Sequence, residues 1–103
     1  MTTSKSCPDW SVYLIRTRHN ALYCGVTNNL ERRFSAHQQG KGAKALRGKG
    51  PLELVWVFAV GDHSTALKVE HHIKSLRKLD KERLVKGDLI LQMDKILRHT
   101  SVD

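Results

Sequence analysis

The sequence predicts a small α+β domain in which a three-stranded antiparallel sheet is flanked by helices, in the order β-β-α-β-α-α-α. Three observations lead there. Two short stretches near the start alternate apolar and polar residues and are joined by a turn, the pattern of a hairpin. One later apolar run suits a strand. The segments after each of these show apolar residues three and four apart, the pattern of amphipathic helices. The strands are too few for a doubly wound sheet and the helices too many for a barrel. Length agrees: 103 residues, 40% of them apolar, fit a single domain over 1–103, with its core over about 10–86 and a closing helix at 88–99.

Residues 10–16, WSVYLIR, place Trp10, Val12 and Leu14 on one face of a strand and Ser11, Tyr13 and Ile15 on the other. A turn at His19 and Asn20 returns the chain through 21–26, ALYCGV, as the antiparallel partner, which brings Tyr13 and Tyr23 into one neighbourhood. Asn28 or Asn29 can cap the first helix, which ends near Gly40. Along it Leu30 and Phe34 form the apolar stripe, His37 projects between them, Arg33 sits at the edge and Arg32 points to solvent. Residues 40–51, GKGAKALRGKGP, hold four cations, four glycines and no acid, which predicts a flexible basic loop. The run 52–60, LELVWVFAV, is apolar on both faces and predicts a central strand covered on both sides. A second helix begins after Asp62 or Ser64, with Ala66, Val69, Ile73 and Leu76 on its apolar side. A shorter one begins at Asp80. The last, capped by Asp88, buries Leu89, Ile90, Met93, Ile96 and Leu97.

Eighteen Lys and Arg against ten Asp and Glu give a net charge of +8, which points to a partner rich in phosphates and is shared by ribosome-associated, RNA-binding and DNA-acting proteins. No apolar run approaches the roughly 20 residues of a membrane span, and the start, MTTSKSCPDW, lacks the apolar stretch of a signal peptide. The expectation is a cytoplasmic protein without a membrane partner. Cys7 and Cys24 form no C-x-x-C pair and read as reduced thiols. Nothing resembles a G-x-x-x-x-G-K-[ST] loop, so no nucleotide cofactor is expected.

Arg33 and His37 lie one turn apart on the side that meets the sheet near Tyr13 and Tyr23, so four polar-tipped groups can converge there. A guanidinium beside an apolar stripe is costly unless it is paired or works on a ligand. The plainer alternative is that Arg33 snorkels past Phe34 and His37 is an ordinary helix-edge histidine. Glu70, flanking Ala66 and Ile73, fits either a salt bridge to Lys74 or a ligand role. The remaining acids are scattered, which argues against a two-metal centre. One carboxylate suffices for a single Mg²⁺, whose shell water and a substrate phosphate complete. His71 and His72 are adjacent and so point to different sides of their helix, which argues against zinc. Lys41, Lys44, Arg47 and Lys49 offer phosphate contacts, a solvated connection being the alternative.

The order and spacing of these residues resemble the GIY-YIG nuclease family over residues 10 to about 86. Ser11-Val12-Tyr13 stands where the family has GIY, and Tyr23-Cys24-Gly25, ten residues on, matches YIG. Arg33 falls where the family's helix carries its arginine and Glu70 where its metal-binding glutamate lies. Ser11, Cys24 and Val26 depart from the usual glycine, isoleucine and lysine, and His37 stands where some members have tyrosine and others histidine. The stretches YCGVTNNLERR, GKGAK and ALKVEHHIKSL are similar to the small stand-alone bacterial members of the YhbQ type. The resemblance implies a metal-dependent DNA endonuclease of the repair or processing kind, with little sequence preference. Glu70 would hold one Mg²⁺ or Mn²⁺ and Arg33 would contact the non-bridging oxygens. Tyr13 or Tyr23 would position or deprotonate the water, its pKa lowered by Arg33 and the metal, with His37 as helper or alternative base. The same basic surface fits a non-catalytic nucleic-acid-binding module, and a structural subunit of a ribonucleoprotein is the weaker third reading.

Overall fold

The computed structural model describes residues 9–101, so Cys7 lies outside the described residues. Strand β1 (Trp10–Arg16) pairs antiparallel with β2 (Leu22–Thr27) on one side and β3 (Glu53–Gly61) on the other, giving the sheet order β2-β1-β3. Helix α1 (Leu30–Gln38) follows β2, and α2 (His63–Lys74), α3 (Lys78–Lys86) and α4 (Met93–Ser101) follow β3. The architecture is the α+β arrangement expected. No helix among the described residues is long and apolar enough to cross a membrane.

Alternation along β1 splits the interior into two clusters. Val12 and Leu14 join Cys24, Ala66, Val69, Ile73 and Leu84 on the α2 side. Tyr13 and Ile15 join Leu46 on the other side, with Leu30 and Phe34 of α1 packed against them. Fully burying an aliphatic side chain of this size contributes about 1.5–3 kcal/mol, so the first cluster is the main source of stability.

Helix starts follow their caps. Asn29 Oδ1 accepts from the Arg32 N–H at 3.2 Å, and Asp62 Oδ2 from the Thr65 N–H at 3.1 Å.

Four expectations change. The apolar run of β3 is not central: β1 takes that place, and β3 lies at the edge with Val57 43% exposed. Its two-faced apolarity arises because Leu54 packs into one cluster while Trp56 and Phe58 pack against the other, with a register shift between Leu14 and Ile15. Hydropathy reports the layers above and below a strand, not its neighbours within the sheet. Secondly, α3 starts at Lys78, so Asp80 sits inside its first turn. Thirdly, Asp88 does not cap the last helix. Gly87 takes a left-handed φ of 85°, the Asp88 N–H donates to the Arg83 carbonyl at 2.8 Å, and both residues are thereby used to close α3. Helix α4 then begins only at Met93, leaving Leu89 and Ile90 ahead of it, with Ile90 81% exposed. Lastly, the basic loop is anchored. Lys44–Leu46 form a 3₁₀ turn, Leu46 is buried, and the Arg18 N–H donates to the Lys49 carbonyl at 3.1 Å.

A charged clamp fixes the hairpin turn to α3. Arg16 donates to both carboxylate oxygens of Glu82, at 2.7 and 2.9 Å, and to the Asn20 side chain at 2.7 Å. Lys78 contacts Glu82 at 2.8 Å and donates to the Asn20 carbonyl. The Arg16 hydrogen bond, then that of Lys78, holds the Glu82 carboxyl down at about 2.

Candidate active site

Tyr13 lies in the middle of the central strand, directly opposite Gly25 of β2. A Cβ at position 25 would come within 2.5 Å of the Tyr13 hydroxyl, so the glycine of the Tyr23-Cys24-Gly25 stretch is the space that the Tyr13 ring occupies. Tyr23 stands beside it, with ring centroids 6.4 Å apart. Helix α1 lays Leu30 and Phe34 against this side of the sheet, and that docking drives His37, one turn beyond Arg33, into the interior at 2% exposure. The Tyr23 ring meets the His37 ring edge-on at 5.7 Å. Arg33 is exposed, not buried at the edge of the stripe; its guanidinium turns toward the Tyr13 hydroxyl.

The hydrogen bonds of His37 assign its proton. Its Nδ1 accepts from the Ala43 backbone N–H at 3.1 Å, and a backbone amide only donates. In the neutral ring the proton therefore sits on Nε2, which lies 2.8 Å from the Tyr13 hydroxyl oxygen and donates to it. Burial, helped by the Arg33 charge, lowers the His37 pKa and keeps the ring neutral. With one nitrogen protonated and the other lone pair engaged by Ala43, His37 has no free lone pair with which to accept a proton from water. The Tyr13 oxygen thus faces two donors, His37 and Arg33. Burial nevertheless pushes Tyr13 up to about 12, so the lowering expected from Arg33 is present but outweighed in the free protein.

Glu70 does not join these four directly. It comes from α2, across the sheet, and meets β2 from the other side. Its carboxylate adds to the effect of burial in raising the Cys24 thiol to about 12 and pairs with Lys74 at 3.2 Å, while Lys74 in turn feels Tyr23. Tyr23 and Cys24 are consecutive residues of a strand at the sheet edge, so the cluster and Glu70 lie on opposite faces of that edge strand. Among the described residues no three His, Cys, Asp or Glu side chains converge. The ion pair with Lys74 is the plainer of the two roles open to Glu70; a Mg²⁺ or Mn²⁺ would have to displace Lys74 and complete its shell with water and phosphate, and a lone carboxylate does not fit zinc. Lys41, Lys44, Arg47 and Lys49 are all exposed on the loop that crosses the end of α1. Gly42 and Ala43 are site residues that sequence reasoning missed. Gly42, set between two lysines, was the available clue; Ala43 acts through its backbone and left none.

A three-stranded antiparallel sheet with this helix order, bearing paired tyrosines and an arginine over one face, is the arrangement of a GIY-YIG domain, and the family model of the GIY-YIG catalytic domain matches residues 9–83. The chain belongs to that nuclease superfamily. It is 60% identical over 84 residues to a UPF0213 protein of Vibrio campbellii, covering 82% of this chain and 81% of that one. To the UPF0213 protein YhbQ of Escherichia coli it is 59% identical over 76 residues, covering 74% and 76%. Among solved structures, the solution NMR structure of a UPF0213 protein from Bacillus halodurans superposes with a TM-score of 0.51 at 36% identity, covering 76% of this chain and 83% of that one.

Proposed function

We propose that this protein is a metal-dependent endonuclease that hydrolyses phosphodiester bonds in DNA with little sequence preference, working in the cytoplasm in DNA repair or processing. The observation that carries the reading is the Tyr13 hydroxyl oxygen flanked by the His37 Nε2–H and the Arg33 guanidinium. Two donors on one phenol oxygen favour its phenolate, and they leave its own proton directed away from both. When a phosphate docks, the Arg33 guanidinium spans its non-bridging oxygens and the Tyr13 oxygen, so that its charge still favours the phenolate. The Tyr13 phenol first gives up its own proton to solvent; the water oxygen then attacks phosphorus, the bond to the leaving sugar oxygen breaks, and the water proton passes to the Tyr13 phenolate. Tyr23 packs beside the reacting groups and positions the water, and His37 orients Tyr13 without taking the proton. Glu70 would hold one Mg²⁺ or Mn²⁺, which supplies positive charge for the leaving oxygen. Lys41, Lys44, Arg47 and Lys49 bind flanking phosphates, so contact with backbone outweighs contact with bases.

Nicking of supercoiled plasmid tests this. Cleavage should need Mg²⁺ or Mn²⁺, stop with EDTA, and vanish in Glu70→Gln while that variant still shifts DNA on a gel. A Glu70→Gln protein that cleaves at the wild-type rate overturns the metal assignment. Binding without cleavage under every metal condition would make the chain a nucleic-acid-binding module instead.

A further inference from the structure

We infer that the Gly42–Ala43 segment of the basic loop sets the proton on His37 and, through it, the hydrogen bond that Tyr13 receives. Loop and tyrosine then act as one hydrogen-bonded unit, with His37 and Ala43 as positioning residues. The consequence for cleavage rests on the nuclease reading above; the place of the proton does not.

The geometry leaves the imidazole little choice. His37 is buried, so water does not substitute freely for a lost partner, and its two ring nitrogens have two partners of fixed or fixable polarity. Ala43 can only donate, so Nδ1 stays bare, Nε2 carries the proton, and Tyr13 is on the receiving end. Without the Ala43 N–H, Nδ1 is free to carry the proton itself. Nε2 then presents a lone pair, and the Tyr13 hydroxyl must turn its hydrogen to His37. The polarity of the pair reverses: the phenol loses a donor and its own proton no longer faces the open side of the site.

The approach of the loop is built for this contact. A Cβ on Gly42 would overlap His37 Nδ1, so only glycine lets the backbone cross the ring at this distance. The segment is held from both ends, by the Lys41 N–H on the Ala36 carbonyl at 2.9 Å and by the Leu46 N–H on the Ala43 carbonyl at 3.0 Å. Lys41 and Lys44 flank it directly and are exposed. Cations that would hold a phosphate are therefore one residue from the two that govern Tyr13, and a phosphate that seats the loop also secures the hydrogen-bond polarity at the tyrosine.

The test is the ring-nitrogen spectrum of His37 in full-length protein labelled with ¹⁵N-histidine. The wild type should show a protonated Nε2 and a bare, hydrogen-bonded Nδ1. Ala43 has φ −62° and ψ 137°, values that proline adopts, so Ala43→Pro deletes the N–H without a change of local φ and ψ, and its Cδ, standing where the N–H pointed, parts the segment from Nδ1. It should move the proton wholly or partly to Nδ1 and lower the turnover of plasmid nicking about tenfold or more. Ala43→Gly, which keeps the N–H, should retain the wild-type ring spectrum. Gly42→Ala pushes the segment off the ring by a different route and should reproduce the proline spectrum. The inference is overturned if the wild-type ring already carries its proton on Nδ1, or if neither Ala43→Pro nor Gly42→Ala alters the ring. A ring that responds as described in a protein that never cleaves DNA would leave the lock standing and remove the nuclease; cleavage with an unresponsive ring would do the reverse.

Discussion

The two faces of β1 bury their side chains equally and use them differently. Val12 and Leu14 look toward α2, Tyr13 and Ile15 toward α1, and all four are at most 1% exposed. Around Val12 and Leu14 the buried partners are apolar: Ala66, Val69, Ile73, Leu84 and the Cys24 thiol. Around Tyr13 the interior holds an imidazole and a phenol joined at 2.8 Å. Burial alone does not tell core from site. The difference is that groups on the first face need nothing from their neighbours except close packing, whereas groups on the second are stable there only while each donor has its acceptor. One face keeps its role through a small change of shape; the other loses its hydrogen-bonded arrangement with a single atom.

The sharpest way to separate the faces is to exchange their lesions. Tyr13→Phe removes one oxygen and should lower the nicking rate by about 10²–10⁴-fold, while stranding the His37 Nε2–H should cost only about 1–3 kcal/mol in urea unfolding. Ile73→Ala, on the α2 side, should lose about 2–5 kcal/mol in the same unfolding curves, yet cleave at close to the wild-type rate at a temperature where it remains folded. If the two variants lose activity in parallel, the faces are not functionally distinct.

Neutralising Lys41, Lys44, Arg47 and Lys49 together should weaken binding to every duplex. The plot of log affinity against log salt should flatten by about 0.9 for each DNA phosphate that the protein no longer neutralises, read by titration at several salt concentrations. An unchanged slope would make the loop a lock without a grip.

Acid should loosen the two sides in different windows. His37 is held neutral, its pKa below 6.5, chiefly by burial and then by Arg33. Its contribution to stability is complete above 6.5. It is lost as pH falls below 6.5 toward the folded value, because the unfolded chain takes up a proton there and the native one does not. Glu82, held at about 2 by Arg16 and then Lys78 against its ordinary 4.5, keeps its contribution above 4.5 and loses it only between there and about 2. Thermal melts should therefore show a first decline just below pH 6.5 that His37→Gln removes, and a second below 4.5 that Glu82→Gln removes. The nicking rate should keep climbing with pH past 6.5, because the accepting group is a phenolate; a plateau reached below 6.5 would return the base role to His37.

Much of this was legible in the sequence where the information is local. The alternation of WSVYLIR found the strand, its two faces and the neighbourhood of Tyr13 and Tyr23, and the caps at Asn29 and Asp62 each stand within a residue or two of the helix they open. What was not legible depends on partners far along the chain or on backbone atoms. His37 could be an idle edge residue by spacing alone; its role follows from Tyr13, 24 residues away, and from the N–H of Ala43, which any residue but proline would supply. The edge position of β3 was hidden because a strand covered above and below has the same composition whether it has one neighbour or two. Asp88 resembled a helix start because the residues that end one helix and open the next draw on the same small set of side chains.

The pairing of Tyr13 with Gly25 also bears on how the hairpin finds its alignment. A slip of one residue between β1 and β2 would set the tyrosine ring against Cys24 or Val26, where side chains stand in its way, and would turn apolar residues of one strand toward the wrong layer. Misaligned hairpins are thus rejected twice, by the layer they face and by the one gap that admits the ring. A chain that has folded at all has in the same act set the Tyr13 phenol against His37.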